Sequence, residues 1–346
     1  MKTIRDFNVK NKRVLVRCDF NVPLDKKGNI LDDFRIKQAL PTIKYLIENK
    51  AKIILMSHLD PESAGVADKK YSLDKVKESL EKLLNMNIIK SPDCIGENAK
   101  MLSKNLKIGQ VLLLENLRFH GEETEGNLKF AEKLSRLGDI YINEAFSVCH
   151  RNHASIAFIP KYLPCGAGFL LEKEIEALGK VLKNPEKPMI AIIGGTKVET
   201  KTKFIDSMSE VADFVLISGL IAKEVLEKNI KFKHQEKIIT PTGQLDALDI
   251  NEESIKMFQE KIATARTILW NGPFGKFEEE QYAKGTLKIA EAIINSKAYS
   301  VIGGGETVEF VTKHGLMDKF SHISTGGGAT MAYLSGEILP GLEALN

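Results

Sequence analysis

The sequence is poor in the features that announce several common protein classes. Its four cysteines, Cys18, Cys94, Cys149 and Cys165, stand at unrelated spacings with no C-x-x-C pair among them. That argues against a disulfide framework and against a thiolate zinc site, and leaves them as reduced packing residues. His150 and His153 flank Cys149 closely, but no second cluster of metal-ligand spacing follows, so packing is the reading there too. No run approaches the roughly 18 apolar residues of a membrane span. Met1 to Asn11 alternates charged with apolar residues and offers no signal-peptide core. A cytoplasmic protein with no membrane partner is expected. Excess charge is missing as well: 49 basic and 46 acidic residues leave a net +3, too even a balance for a nucleic-acid surface, so any anion site must be local. Arginine is scarcest of all in the second half. Seven of eight (Arg5, Arg13, Arg17, Arg35, Arg118, Arg136, Arg151) fall in the first 151 residues, and only Arg266 follows.

What is present is an ordinary globular composition, 43% hydrophobic and 27% charged, over 346 residues. That length implies two domains of about 150 to 180 residues. Short β-branched runs alternate with amphipathic stretches from end to end, the pattern of an α/β protein with parallel sheets. Strands are expected at Arg13 to Asp19, Lys52 to Ser57, Val111 to Glu115, Asp139 to Glu144, Met189 to Ile193, Asp213 to Ser218, Lys237 to Thr240, Thr267 to Trp270, Ser300 to Ile302 and Ser321 to Thr325. Ten strands exceed one compact sheet of usual size. Between Leu170 and Lys183, Leu171, Ile175, Leu178 and Leu182 recur on one helical face before NPEKP stops the helix. This is the natural inter-domain connector, a further crossover helix being the alternative. Around it the composition changes, because 18 of the 26 glycines lie at or after Gly168.

Four glycine-rich loops directly follow strand candidates in the second half: Gly194 to Lys201, Asn271 to Glu278, Gly303 to Thr307 and Ser324 to Thr330. Ligands of open α/β sheets sit beyond the carboxyl ends of the strands, so these loops converge on one crevice. With the helices after Gly305 and Gly328 they supply free N–H groups for phosphates. Any one loop could be only a tight turn; four in register argue for a nucleotide. Neither G-x-x-x-x-G-K-[ST] nor a G-x-G-x-x-G after the first strand occurs, which sets aside the P-loop and dinucleotide fingerprints. Lys197 and Lys201, one helical turn apart, could span a transferring phosphate.

In the first half the anion-binding residues also lie just past strands. Arg17, Asp19 and Asn21 alternate at the end of the first strand, Arg35 opens a helix, and His58, Arg118 and Arg151 follow later strands. Arginine's planar fork suits carboxylate and phosphate. A buried ion pair with a turn is the structural alternative for the first three, and a hydrogen-bonded structural role for His58, His150 and His153.

These segments resemble phosphoglycerate kinase, in order and along the full chain: RCDFNVP, DDFRIKQALPTI, SHL, LLLENLRFHGEE, INEAF with HRNHAS, GFLLEKEIEALGK, IIGGTKV, WNGPFGKFE, GGGET and STGGGAT. The resemblance implies two Rossmann-like three-layer α/β/α domains with parallel sheets, joined by a helical hinge. Residues 1–167 would bind phosphoglycerate, with 332–346 packing back on them; 168–183 would connect, and 184–331 would bind nucleotide. It implies phosphoglycerate on Arg17, Asp19, Asn21, Arg35, His58, Arg118 and Arg151. It implies nucleotide on Gly195, Thr196, Lys197, Lys201, Gly219, Asn271, Glu278, Gly304, Gly305, Glu306, Thr307 and Gly326, with Glu278 at the ribose and Glu306 toward the metal. Arg35, Lys197, Lys201, Gly327 and Gly328 would act on the transferring group. The partners implied are ATP or ADP and 3-phosphoglycerate or 1,3-bisphosphoglycerate, with Mg2+ as cofactor, in a monomer.

The chain departs from the family's pattern in five places. Asp60, Pro61 and Glu62 stand where Gly-Arg-Pro is usual, removing a substrate-side arginine. Glu306 replaces aspartate, Ser147-Val148-Cys149 replaces Gly-Thr-Ala, and Ser218-Gly219-Leu220 replaces a triple glycine. The stretch between Asn229 and Thr267 is short. Rival readings are a non-catalytic nucleotide-binding homologue, an acyl-phosphate kinase for another small acid, and a nicotinamide-dependent oxidoreductase.

Overall fold

In the computed structural model, residues 1–59, 64–195 and 198–346 are described, the side chains of 198–200 excepted. Twelve strands lie among them, and every pairing is parallel. Those of the first half are β1 (Arg13–Cys18), β2 (Lys52–Met56), β3 (Ile89–Lys90), β4 (Val111–Leu113), β5 (Ile140–Glu144) and β6 (Cys165–Ala167). They form one six-stranded sheet in the order β3-β4-β2-β1-β5-β6. Those of the second half are β7 (Met189–Ile193), β8 (Phe214–Ile217), β9 (Ile238–Ile239), β10 (Thr267–Asn271), β11 (Tyr299–Gly303) and β12 (His322–Ile323). They form a second sheet, β12-β11-β10-β7-β8-β9. The α/β class and the parallel sheets agree with the reading of the sequence.

Central strands such as β7 and β10 are buried at every residue, as expected where helices cover both faces of a parallel sheet and the strand reads as an unbroken apolar run. All ten expected strands are present, seven of them shorter than expected by a residue or two at one or both ends and two, Thr267–Asn271 and Tyr299–Gly303, longer. The two that periodicity missed are β3, only two residues long, and β6, whose sequence Cys-Gly-Ala carries no β-branched residue.

Contacts divide the chain into Met1–Glu174 with Ile338–Asn346, and Ile175–Glu337. A helix over Phe169–Lys183 carries the chain from the first unit into the second. Within the second, the helix Gly328–Leu334 packs on the helix Val198–Val211. In the first, the closing turn Pro340–Glu343 packs on Ala154–Phe158.

Register places the functional loops. Asn271 pairs with Ile193 on one side and Gly303 on the other, so the loops after β7, β10 and β11 start at one level of the sheet edge. Arg17 pairs with Met56 and Asn143, which does the same for the loops after β1, β2 and β5. The helix Phe34–Glu48 follows β1 and buries Ile36, Ala39, Ile43 and Leu46 on one face, which fixes Arg35 in its first turn.

At the end of β5, Glu144 is fully buried. Its Oε1 accepts the Thr42 hydroxyl at 2.5 Å and the Leu170 amide at 3.1 Å, at the start of the helix Phe169–Lys183, while Oε2 has no hydrogen-bond partner among the described residues. Burial outweighs these hydrogen bonds and raises its pKa from 4.5 to about 7. Folding therefore favours the protonated acid. This carboxyl should cost on the order of 3 kcal/mol of stability as pH rises from 4.5 through 7. Glu144→Gln keeps the shape without the charge, so urea midpoints measured across that window should flatten relative to the parent protein.

Candidate active site

In the first unit a fully buried Arg17 stands one residue before the end of β1. Its Nε donates to Ser155 Oγ at 2.7 Å and its Nη1 to the Cys18 carbonyl at 2.5 Å. Nη2 lies 3.3 Å from His58 Nδ1 and 3.7 Å from Glu123 Oε1. Glu123, buried in its turn, accepts the Ser155 amide and hydroxyl at 2.9 and 2.5 Å. Beside this lattice, Asp19 Oδ2 accepts Arg35 Nη1 and the Ser147 hydroxyl, and Oδ1 accepts the Asn21 amide at 3.0 Å. Burial alone would raise the pKa of Asp19. The Arg35 guanidinium, with the hydrogen bonds from Ser147 and Asn21, overcomes it and holds the pKa at about 2.

The electrostatics point to an anion. Burial, then Arg17, keeps His58 well below its ordinary range. Burial, then Arg118, Arg17 and Arg151, brings His153 to about 3. Arg118 is depressed by burial and by Arg17 and Arg151. Arg17, Arg35 and Arg118 thus act on His58, and Arg17, Arg118 and Arg151 on His153, with Asp19 and Glu123 opposing them among the described residues. A ligand carrying a carboxylate or phosphate would relieve that repulsion, which is a functional signature rather than a stabilising one.

The second unit holds a cavity of about 530 Å3 lined by Gly195, Gly219, Leu245, Pro273, Phe277, Glu278 and Glu306, among others. Backbone forms much of it. Gly194 donates to the Asn271 carbonyl at 2.9 Å and Gly195 to the Pro273 carbonyl at 2.8 Å, while Gly272 donates to Thr307 Oγ1 at 2.7 Å. Lys201 is buried and its ammonium donates to the Gly194 carbonyl. Gly195 takes φ +88°, and a Cβ there would stand 2.7 Å from Lys201 Nζ and 3.2 Å from Glu306 Oε2. Glycine is therefore required for backbone, ammonium and carboxylate to meet at this corner. Gly219 is required for another reason: any side chain would run into the Leu245 carbonyl on the opposite wall. Asn271 is buried with its amide against Gly304, and Glu306 and Glu278 are exposed at the cavity.

The family model described as phosphoglycerate kinase matches residues 4–236 and 224–337. The chain is 42% identical to the phosphoglycerate kinase of Borrelia hermsii, covering 100% of this chain and 99% of that protein. It is 41% identical to the one from Coprothermobacter proteolyticus, at 100% and 98% coverage. The crystal structure of the phosphoglycerate kinase of Pyrococcus horikoshii superposes with a TM-score of 0.88 at 33% identity, over 100% of this chain and 98% of that one. The Coxiella burnetii structure gives 0.83 at 32% identity, covering 99% and 98%. The chain belongs to the phosphoglycerate kinase family. It is a compact member, its 346 residues aligning over a span of 390 positions with the Borrelia protein.

Within this phosphoglycerate kinase fold, the expected acid-site residues Arg17, Asp19, Asn21, Arg35, His58 and Arg118 come together at one sheet edge, with Arg151 exposed but acting on Arg118 and His153. Of the expected nucleotide residues, Gly195, Lys201, Asn271, Glu306 and Thr307 meet around the loops after β7, β10 and β11. Gly219 and Glu278 line the cavity. Gly304 precedes the helix Gly305–Lys313, and Gly326 and Gly327 lead into the helix at Gly328. Thr196 and Lys197, like Asp60, Pro61 and Glu62, lie outside the described residues.

The sequence reading gave no site role to Glu123 and Ser155, which hold Arg17, and named Ser147, which holds Asp19, only as a departure from the family's pattern. It also omitted the wall running from Pro241 to Asn251, where Asp249 receives the Gly285 and Ile250 amides at 2.8 and 2.9 Å. The acidic pair Glu122-Glu123 after Arg118 was the available signal for the former; a PTG turn before Leu245, Leu248 and Ile250 was that for the latter.

Because the folded pKa of Asp19 is depressed, its contribution is present above the unfolded value of 3.8 and lost as pH falls toward 2. It amounts to roughly 2 kcal/mol. Asp19→Asn should shallow the acid limb of unfolding between pH 4 and 2 by about that amount, read by circular dichroism. Gly219→Ala should raise the apparent dissociation constant for ADP by roughly tenfold, an estimate for overpacking of 1–3 kcal/mol, while leaving binding of the acid substrate unchanged; titration calorimetry separates the two.

Proposed function

We propose that this chain catalyses reversible transfer of the γ-phosphoryl group of ATP to the carboxylate of 3-phosphoglycerate, giving ADP and 1,3-bisphosphoglycerate, as a cytoplasmic monomer. The observation that supports it most directly is the excess of guanidinium over carboxylate around Arg17, Asp19, Arg35, Arg118 and Arg151, suited to a small acid bearing two anionic ends. The glycine-lined cavity beside Lys201 suits the nucleotide.

In the forward direction a carboxylate oxygen forms the new P–O bond in line, the bond between the γ-phosphorus and the β–γ bridging oxygen breaks, and ADP leaves with the electron pair. A carboxylate nucleophile carries no proton to remove, so no general base is needed and catalysis rests on positioning and charge. Arg17, Arg118 and Arg151 would fix the acid's phosphate. Asp19 orients Arg35, which would neutralise charge on the transferring group. Lys197, Lys201 and the amides at Gly326 to Gly328 would do so from the nucleotide's unit. An exposed carboxylate beside a buried ammonium and free backbone fits a magnesium ion shared with nucleotide phosphates. Glu306 would hold it, and when bound the ion supplies charge neutralisation between the phosphates. Since each substrate would sit on its own unit, turnover requires a closure that brings the two together and expels water, with Gly168 to Lys183 as the hinge.

Asp60, Pro61 and Glu62 favour a second reading, phosphorylation of a different small carboxylic acid, and a panel of acids in the same assay decides between them. In a coupled assay with ATP, magnesium and 3-phosphoglycerate, the parent chain should turn over. Arg35→Ala should lose at least a hundredfold in kcat while its calorimetric affinity for ADP stays within twofold. Equal loss of both would refute the division of roles.

A further inference from the structure

We propose that Asp93, Cys94 and His120 form a binding site for a soft divalent cation of the zinc class, separate from the magnesium expected with the nucleotide. Asp93 and Cys94 lie between β3 and the helix Gly96–Asn105, and His120 follows the turn Leu117–Phe119 beyond β4. These two strands are neighbours, so both segments leave the same edge of the sheet. One carboxylate oxygen, the Cys94 thiol and one imidazole nitrogen all lie within 4.8 Å of one another.

The donor set decides the kind of ion. Sulfur and imidazole nitrogen with a single carboxylate match zinc-like cations, whereas magnesium takes an oxygen shell. Bonds of about 2.0–2.3 Å put tetrahedral ligand atoms about 3.5 Å apart, so closing the site requires movements of about 1 Å. His120 Nε2 and Asp93 Oδ1 are 2.7 Å apart and would separate slightly, the ion replacing the proton they share. Cys94 would swing toward them and release its thiol proton to solvent as the metal–sulfur bond forms.

The surroundings favour this over a plain ion pair. The Cys94 amide donates to Asp93 Oδ1 at 2.6 Å, which fixes the carboxylate, and the Phe130 ring, 5.3 Å from the imidazole and tilted 36°, braces His120. Cys94 is buried, while the side chains of Asp93 and His120 keep 46% and 23% exposure, so an ion would enter from their side and could keep a water as fourth ligand.

The test uses the full chain, freed of metal with a chelator and titrated with Co2+. One equivalent should produce a thiolate-to-cobalt charge-transfer band in the near ultraviolet, which Zn2+ abolishes and millimolar Mg2+ does not. Cys94→Ser should remove the band, and His120→Gln should weaken Co2+ binding by more than the roughly tenfold that losing an outer-sphere partner costs. Absence of the band in the parent chain, or its survival in Cys94→Ser through another thiol such as Cys165, would overturn the proposal. Should Cys94→Ser not fold, an unchanged affinity in the partly exposed His120→Gln overturns it equally.

Discussion

The first unit is organised around one buried guanidinium. Removing Arg17 from water would cost several kcal/mol if it stood alone, and its partners come from four separate places: the Cys18 carbonyl, Ser155, His58 and Glu123. These partners tie the end of β1 to the loops after β2, β4 and β5. Arg35 is held separately, by the Asp19 carboxylate just beyond the end of the same strand. Anion recognition is in this sense prepaid by the fold, since the arginines are already held before any ligand arrives.

The second unit solves the complementary problem by a different route. There the cationic side chain that the structure describes at the site, Lys201, is buried against a backbone carbonyl, and the loops around it consist largely of glycine and main-chain amides. Backbone groups lose no side-chain entropy when they close on a phosphate and can approach it where a Cβ would intrude. On the division of ligands proposed above, the composition of the two halves follows: arginine where a small acid would be gripped by side chains, glycine where a larger nucleotide would be wrapped by backbone.

Most of the architecture was legible because parallel sheets bury both faces and leave long β-branched runs, as at Met189–Ile193. Strands β3 and β6 were not, because two or three residues carry no period and their strand character comes from pairing with β4 and β5. Site residues announced themselves through position: arginine or glycine directly after a strand is rare enough to notice. The acidic pair after Arg118 hinted at Glu123, but the partners of Glu123, Ser147 and Ser155 could not be read, because each contact is made only in the tertiary fold. A serine 138 residues from Arg17 has no local signature. Asp249 was hidden for the same reason, since its anchoring of Gly285 joins segments 36 residues apart.

The two carboxyl groups at the edge of the first sheet show what the site requires of its charges. Asp19 and Glu144 are both buried, yet the former is held ionised with a pKa of about 2 and the latter is pushed up to about 7. The difference is that Arg35 pairs with the first, while the second is met by a hydroxyl and amides and by no cation among the described residues. His58 and His153 are kept neutral by the surrounding guanidinium groups and by burial. The positive charge of the cluster at neutral pH therefore resides on arginines alone, which hold their protons at any physiological pH. An anion site built this way does not weaken as histidines lose protons, and its field stays constant while the acid it would bind is fully ionised. For a reaction in which a carboxylate attacks phosphorus and no proton moves, that constancy is the electrostatic condition that matters.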